Sequence, residues 1–209
     1  PKWMGKCPSC NEWNSFEQAV SEKKKSNSPR QISSNVKISV SQLNQVETSK
    51  NSRIVTDVNE FNRVLGGGIV RDSISILTSP PGGGKSTLSL AISNDVAKQG
   101  MRVLYASGEE SESQIKNRAD RILESINENI WIVADTCLNG IINAINEIDP
   151  DLIIIDSIQT FYLEEYLPAR AGNPTQTMEC ASELVRIAKN KERPRSVILI
   201  GQMNKNDEL

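Results

Sequence analysis

Histidine is absent from the 209 residues. That removes imidazole both as a general base and as a metal ligand, so any base in this protein must be a carboxylate. Long apolar runs are also missing. No stretch approaches the about 20 residues that cross a bilayer, and the first residues lack the charged-then-apolar pattern of a secretory leader. A cytoplasmic protein with no membrane partner is expected. Nor is there an excess of either charge: 24 Lys and Arg face 26 Asp and Glu, a net charge of -2. No global basic field points to nucleic acid, although a local cluster of Lys and Arg would suffice for one.

Cysteine is scarce, with four in all. Cys7 and Cys10, in Cys7-Pro8-Ser9-Cys10, have the spacing of half a zinc ribbon, and a tetrahedral Zn²⁺ site needs four ligands. Cys137 and Cys180 fall in segments that read as core, so the zinc site is incomplete in this chain. Because the sequence opens on Pro1 and not on Met, the missing pair is expected upstream. A tight turn carrying two free thiols is the other reading.

What the sequence does have is Ser79-Pro80-Pro81-Gly82-Gly83-Gly84-Lys85-Ser86-Thr87, set between the apolar run Ile74-Ser75-Ile76-Leu77 and an amphipathic segment starting at Leu88. A glycine-rich turn between strand and helix lets backbone N–H groups close around phosphate oxygens while the helix presents its positive end to the same anion. Lys85 would reach the β- and γ-phosphates, and the Ser86 hydroxyl would ligate Mg²⁺. Ser79 stands where the motif has its first glycine, so the loop must begin without a residue that tolerates positive φ.

Residues 21–52 are poor in large apolar groups and rich in Ser, Asn, Gln and Lys, including Lys23-Lys24-Lys25, and read as a polar linker. The lysine run reads first as a solvated stretch. Beyond it, apolar runs alternate with helical periodicity, which predicts an α/β domain with a mostly parallel central sheet. Strands are expected at 73–78, 102–107, 130–134, 152–156 and 196–201. Helices are expected at 88–98, 111–125, 139–148 and 175–190.

Three strand ends carry chemistry. Asp156 closes the run Leu152-Ile153-Ile154-Ile155 and is placed to organise Mg²⁺. Glu109, in Ser107-Gly108-Glu109-Glu110-Ser111, either holds the water that attacks the γ-phosphate or, with Glu110, simply favours the positive end of the next helix. Gln202 either senses the γ-phosphate or is a polar residue at a strand end. Residues 162–176 read as an irregular segment, with Arg170, Tyr162 and Tyr166 available to DNA or with no partner at all.

Taken together, Trp3-Met4-Gly5-Lys6-Cys7-Pro8-Ser9-Cys10-Asn11-Glu12-Trp13, Leu65-Gly66-Gly67-Gly68-Ile69, Ser107-Gly108-Glu109-Glu110-Ser111 and Ile154-Ile155-Asp156-Ser157-Ile158-Gln159-Thr160 resemble the RadA (Sms) family of bacterial DNA repair proteins across essentially the whole chain. The resemblance implies a RecA-like P-loop ATPase core preceded by a partial zinc ribbon. By domain it implies residues 1–20 as part of a four-cysteine finger, 21–52 as linker and 53–209 as a core truncated at its C-terminal end. It also implies ATP, Mg²⁺ and Zn²⁺ as cofactors. Residues 79–87, Asp156 and Gln202 would hold nucleotide, Ser86 and Asp156 magnesium, and Cys7 and Cys10 zinc, with Glu109 and Lys85 catalytic.

The implied activity is DNA-dependent ATP hydrolysis coupled to processing or branch migration of recombination intermediates. The partners would be single-stranded or branched DNA, a RecA-type recombinase or a replicative helicase, and further copies in a ring. A nucleotide-gated DNA- or partner-binding module without significant turnover is the alternative. Two departures stand out. Ser79 replaces a family glycine, and Gly201-Gln202-Met203-Asn204-Lys205 replaces the family's G-H-V-T-K. The K-N-R-F-G motif and the C-terminal Lon-protease-like domain of the family are not in this sequence.

Overall fold

In the computed structural model of the protein, residues 40–45 and 53–202 are described. The chain divides into two units, residues 1–48 and 49–209. In the first, the described residues 40–45 carry a single turn of 3₁₀-helix at Leu43–Gln45. Cys7, Cys10 and most of the expected linker lie outside the described residues.

The second unit begins with a small antiparallel pair, β1 (Arg53–Ile54) and β2 (Ile69–Val70), around α1 (Asn59–Val64). Asn62 fastens this corner, with Oδ1 accepting from Thr56 N at 3.0 Å and Nδ2 donating to Thr56 O at 2.6 Å. Gly68, at φ +123, passes so close to β1 that a Cβ would sit 2.5 Å from the Ile54 carbonyl oxygen, so the glycine run seen in the sequence is a steric necessity there.

The main sheet follows: β3 (Ile74–Ser79), β4 (Val103–Ser107), β5 (Ile130–Ala134), β6 (Leu152–Asp156) and β7 (Ser196–Gln202), all parallel, in spatial order β3-β7-β6-β4-β5. Strand periodicity divides the apolar side chains between two faces. Leu104, Ala106, Ile153, Ile155, Val197 and Leu199 meet α4 (Leu138–Ile148) and α5 (Pro174–Ala188) on one side. Val103, Tyr105, Leu152, Ile154, Ile198 and Ile200 meet α2 (Lys85–Lys98) and α3 (Glu112–Ile122) on the other.

All five expected strands and four expected helices form, β5 and β6 with the expected bounds and the others with shifted ends. Helix α2 starts at Lys85, three residues before the predicted Leu88, because Gly84 takes the left-handed conformation at its N-cap (φ 80, ψ 12). Helix α3 ends at Ile122, short of the predicted 125. There Asn94 of α2 captures the exiting chain, donating to Ser125 O at 2.9 Å and accepting from Asn127 N at 2.9 Å. The segment expected to be irregular at 162–176 contains a 3₁₀ turn, Glu164–Tyr166, and gives way to α5 at Pro174. None of the helices among the described residues is long and apolar enough to cross a membrane.

Candidate nucleotide site

Parallel strands deliver their last residues to one edge of the sheet, and register decides which ones meet. Ser79 pairs with Gln202, Ile200 with Asp156, and Asp156 with Ser107. The sequence positions singled out for chemistry therefore arrive side by side. A cavity of about 400 Å³ opens over them, lined by residues 81–87 together with Glu109, Glu110, Arg118, Asp156, Ile200 and Gln202.

The loop leaves backbone donors facing the cavity. Its left-handed turns fall at Gly82 (φ 78) and Gly84 (φ 80), so Ser79 ends β3 without needing positive φ, which answers the question raised by the missing first glycine. Gly83 is required for a different reason, since a Cβ there would come within 2.2 Å of Ser79 Oγ. The first backbone hydrogen bond of α2 runs from Leu88 N to Gly84 O at 2.9 Å, and no side chain caps the helix. The amides of Lys85, Ser86 and Thr87 thus face the cavity end of the helix without helical partners, and the helix dipole adds a partial positive charge. Lys85 Nζ folds back onto Ser79 O at 2.8 Å and Ser79 Oγ at 3.2 Å, weak neutral partners that a phosphate would displace.

Two acids stand opposite the loop. Asp156, 6 % exposed, accepts from Tyr105 Oη at 2.6 Å. Burial, and then the Asp156 charge, hold the Tyr105 phenol far above its ordinary pKa, so it remains a donor. The Glu109 carboxylate, by contrast, is reached from the ends of two neighbouring strands: Gln202 Nε2 donates to its Oε1 at 2.7 Å, and Ser157 Oγ donates to the same oxygen. At the start of α3 itself, Ser111 and Gln114 form the capping box and Glu110 pairs with Arg118. Gln202, read in the sequence either as a γ-phosphate sensor or as a polar residue at a strand end, lines the cavity and directs its amide to Glu109.

Sequence reasoning missed Tyr105, Ser157 and Arg118. A tyrosine inside an otherwise aliphatic strand, beside a strand that ends in Asp, was the signal available for the first. Arg118 carried none, since its partner Glu110 lies eight residues away and ahead of the helix cap. Of the residues considered for DNA, Tyr166 is half-buried with its hydroxyl on Glu179 at 2.8 Å, Tyr162 bridges to Cys137, and Arg170 is exposed. Cys180 is buried within the core, as the sequence predicted, which pushes its thiol up to about 12; Cys137, expected in the core as well, is instead half-buried at the N-cap of α4.

Comparison with known proteins agrees with this geometry. Residues 41–208 match the family model described as AAA domain, which is most of the chain. The chain belongs to the AAA domain family. Its RecA-like core is an AAA domain with five parallel strands, and residues 1–18 match the model for a rubredoxin metal binding domain. Across its full length this AAA-domain chain is 39 % identical to the DNA repair protein RadA of Bacillus subtilis, covering 45 % of that protein. It is 42 % identical to the RadA proteins of Halalkalibacterium halodurans and Campylobacter jejuni over 98 % of its own length, covering 44 % and 45 % of theirs. It therefore spans less than half the length of these curated relatives.

Proposed function

We propose that this AAA domain binds ATP with Mg²⁺ in the cavity over α2 and hydrolyses it to ADP and phosphate, and that the hydrolysis is coupled to work on DNA in recombinational repair. The observation that carries the reading is the placement of the Glu109 carboxylate across the cavity from the glycine loop, held there by Gln202 and Ser157.

The residues fit the substrate. The free amides of 85–87 and the Lys85 ammonium would hold the β- and γ-phosphate oxygens, while the Ser86 hydroxyl and the Asp156 carboxylate would hold the cation. Mg²⁺ in that position neutralises charge on the two phosphates. Glu109 would take a proton from a water molecule as its oxygen bonds to the γ-phosphorus. The bond from that phosphorus to the bridging oxygen breaks, and the electron pair leaves with ADP. The Gln202 amide, shared between Glu109 and the phosphate side of the cavity, would report whether the γ-phosphate is present.

The DNA-linked part rests on the relatives' name, DNA repair protein. Single-stranded or branched DNA is the substrate class we assign, with processing or branch migration of recombination intermediates as the work. A ring of copies and contact with a recombinase or replicative helicase belong to the whole protein. Cys7 and Cys10 would supply half of a Zn²⁺ site, in keeping with the match over residues 1–18. The test is ATP turnover with and without single-stranded DNA, measured beside Glu109→Gln. Turnover lost with ATP affinity retained supports the reading; equal turnover in the two proteins sinks it.

A further inference from the structure

A buried phenol lies beneath the floor of the cavity. Tyr105 is 1 % exposed in the middle of β4 and touches Asp156 through its hydroxyl at 2.6 Å. Register explains the contact. Tyr105 pairs with Ile154 and Ser107 with Asp156, so Tyr105 and Asp156 project from the same face of the sheet, one pleat apart on adjacent strands. Only Oδ2 of Asp156 is engaged, and the residue lines the cavity, where Oδ1 accepts no hydrogen bond from a described residue.

The ring of Tyr105 belongs to the buried apolar cluster that also holds Val103, Ile154 and Ile198, a place that phenylalanine would fill equally well. The hydroxyl therefore serves the polar groups alone. We propose that Tyr105 is a positioning residue that fixes Asp156 by Oδ2, turning Oδ1 toward the cation that accompanies the nucleotide. A carboxylate at a strand end otherwise rotates about two bonds, and a buried donor on one oxygen removes that freedom before the cation arrives. Partners of this kind typically change metal affinity by about 10- to 100-fold. The inference rests on the nucleotide reading above.

The experiment is a Mg²⁺ titration of the binding of a fluorescent ATP analogue to the protein, to Tyr105→Phe and to Tyr105→Leu. In both variants the Mg²⁺ concentration giving half of the full enhancement should rise by about tenfold or more. Affinity for the analogue in EDTA should stay within twofold. An unchanged Mg²⁺ midpoint in Tyr105→Phe overturns the proposal. So does a shift confined to Tyr105→Leu, which would assign the effect to packing. If the unsubstituted protein binds no nucleotide with or without Mg²⁺, the functional reading itself falls; Mg²⁺-dependent binding that Tyr105→Phe leaves untouched removes only this inference.

Discussion

Gln202 donates its side-chain amide to Glu109 Oε1 at 2.7 Å, joining the end of β7 to the turn that follows β4. Ser157, just after β6, donates to the same oxygen. A carboxylate held twice through one oxygen has its other oxygen directed, which is what a general base needs in order to meet a water in line with a phosphorus. Replacing Gln202 with Ala should lower kcat by about 10- to 100-fold, the kinetic equivalent of one hydrogen bond to a charged group, with ATP affinity little changed. Because the amide acts through Glu109, the same replacement made in Glu109→Gln should add almost nothing. Coupled-assay kinetics on the four proteins test this; additive losses would show that Gln202 acts independently of Glu109.

Gly83→Ala should be tolerated only together with Ser79→Gly. Gly83→Ala forces a Cβ to within 2.2 Å of Ser79 Oγ and 2.8 Å of its Cβ, an overpacking that should cost about 1–3 kcal/mol. Ser79→Gly removes both contacts, so the double variant should recover most of the lost thermal stability and of the ATP affinity. Melting curves and calorimetry across the four combinations decide the matter. A double variant no better than Gly83→Ala would place the strain at Pro80 O, 3.0 Å from the same Cβ.

The contrast between what could and could not be read from sequence follows the range of the forces involved. Strand and helix identities were legible because apolar periodicity is local: Leu152-Ile153-Ile154-Ile155 has no stable place outside a sheet covered on both faces. Asp156 and Lys85 were legible because a motif carries its own geometry. The start of α2 was not, because the φ of Gly84 depends on the loop as a whole. Gln202 could be located at a strand end but not aimed, since its partner lies 93 residues earlier. Nothing in the sequence pairs Tyr105 with Asp156; the register between β4 and β6 does.

Gln176 explains why the segment after Phe161 is built and not loose. Fully buried near the start of α5, it accepts from Leu163 N at 2.9 Å and donates to Leu163 O at 3.1 Å and Ala169 O at 2.9 Å. Gln176→Met keeps the length of the side chain and leaves those backbone groups without a partner. The expected loss is about 1–3 kcal/mol of stability for burying an unpaired amide. Hydrogen exchange at the Leu163 amide should accelerate by a larger factor than at β6. Protection that falls equally at both places would mean that Gln176 supports the whole domain and not this segment.

Asp149 should give the fold its acid sensitivity at the opposite edge of the sheet, where the chain enters β6. It sits in the left-handed conformation after α4 (φ 50) and accepts from Arg193 Nε and Arg195 Nη2 on Oδ1 and from Arg102 Nη2 on Oδ2, each at 2.8 Å. The hydrogen bond from Arg193, followed by that from Arg195, holds its carboxyl below the ordinary aspartate range in spite of some burial. A carboxyl that titrates lower when folded binds fewer protons in the native state than in the unfolded one, so its stabilising effect is complete above the unfolded pKa of about 3.9 and fades as pH falls through the folded value. Asp149→Asn keeps the size and tolerates the left-handed backbone while removing the charge. The melting temperature of the variant should therefore lie below that of the parent at pH 7, and the two should converge below about pH 4. With 38 % of the Asp149 side chain exposed, the gap at pH 7 should also narrow in 1 M salt. A gap that persists unchanged at pH 3 would assign the effect to packing and not to the ion pairs with Arg102, Arg193 and Arg195.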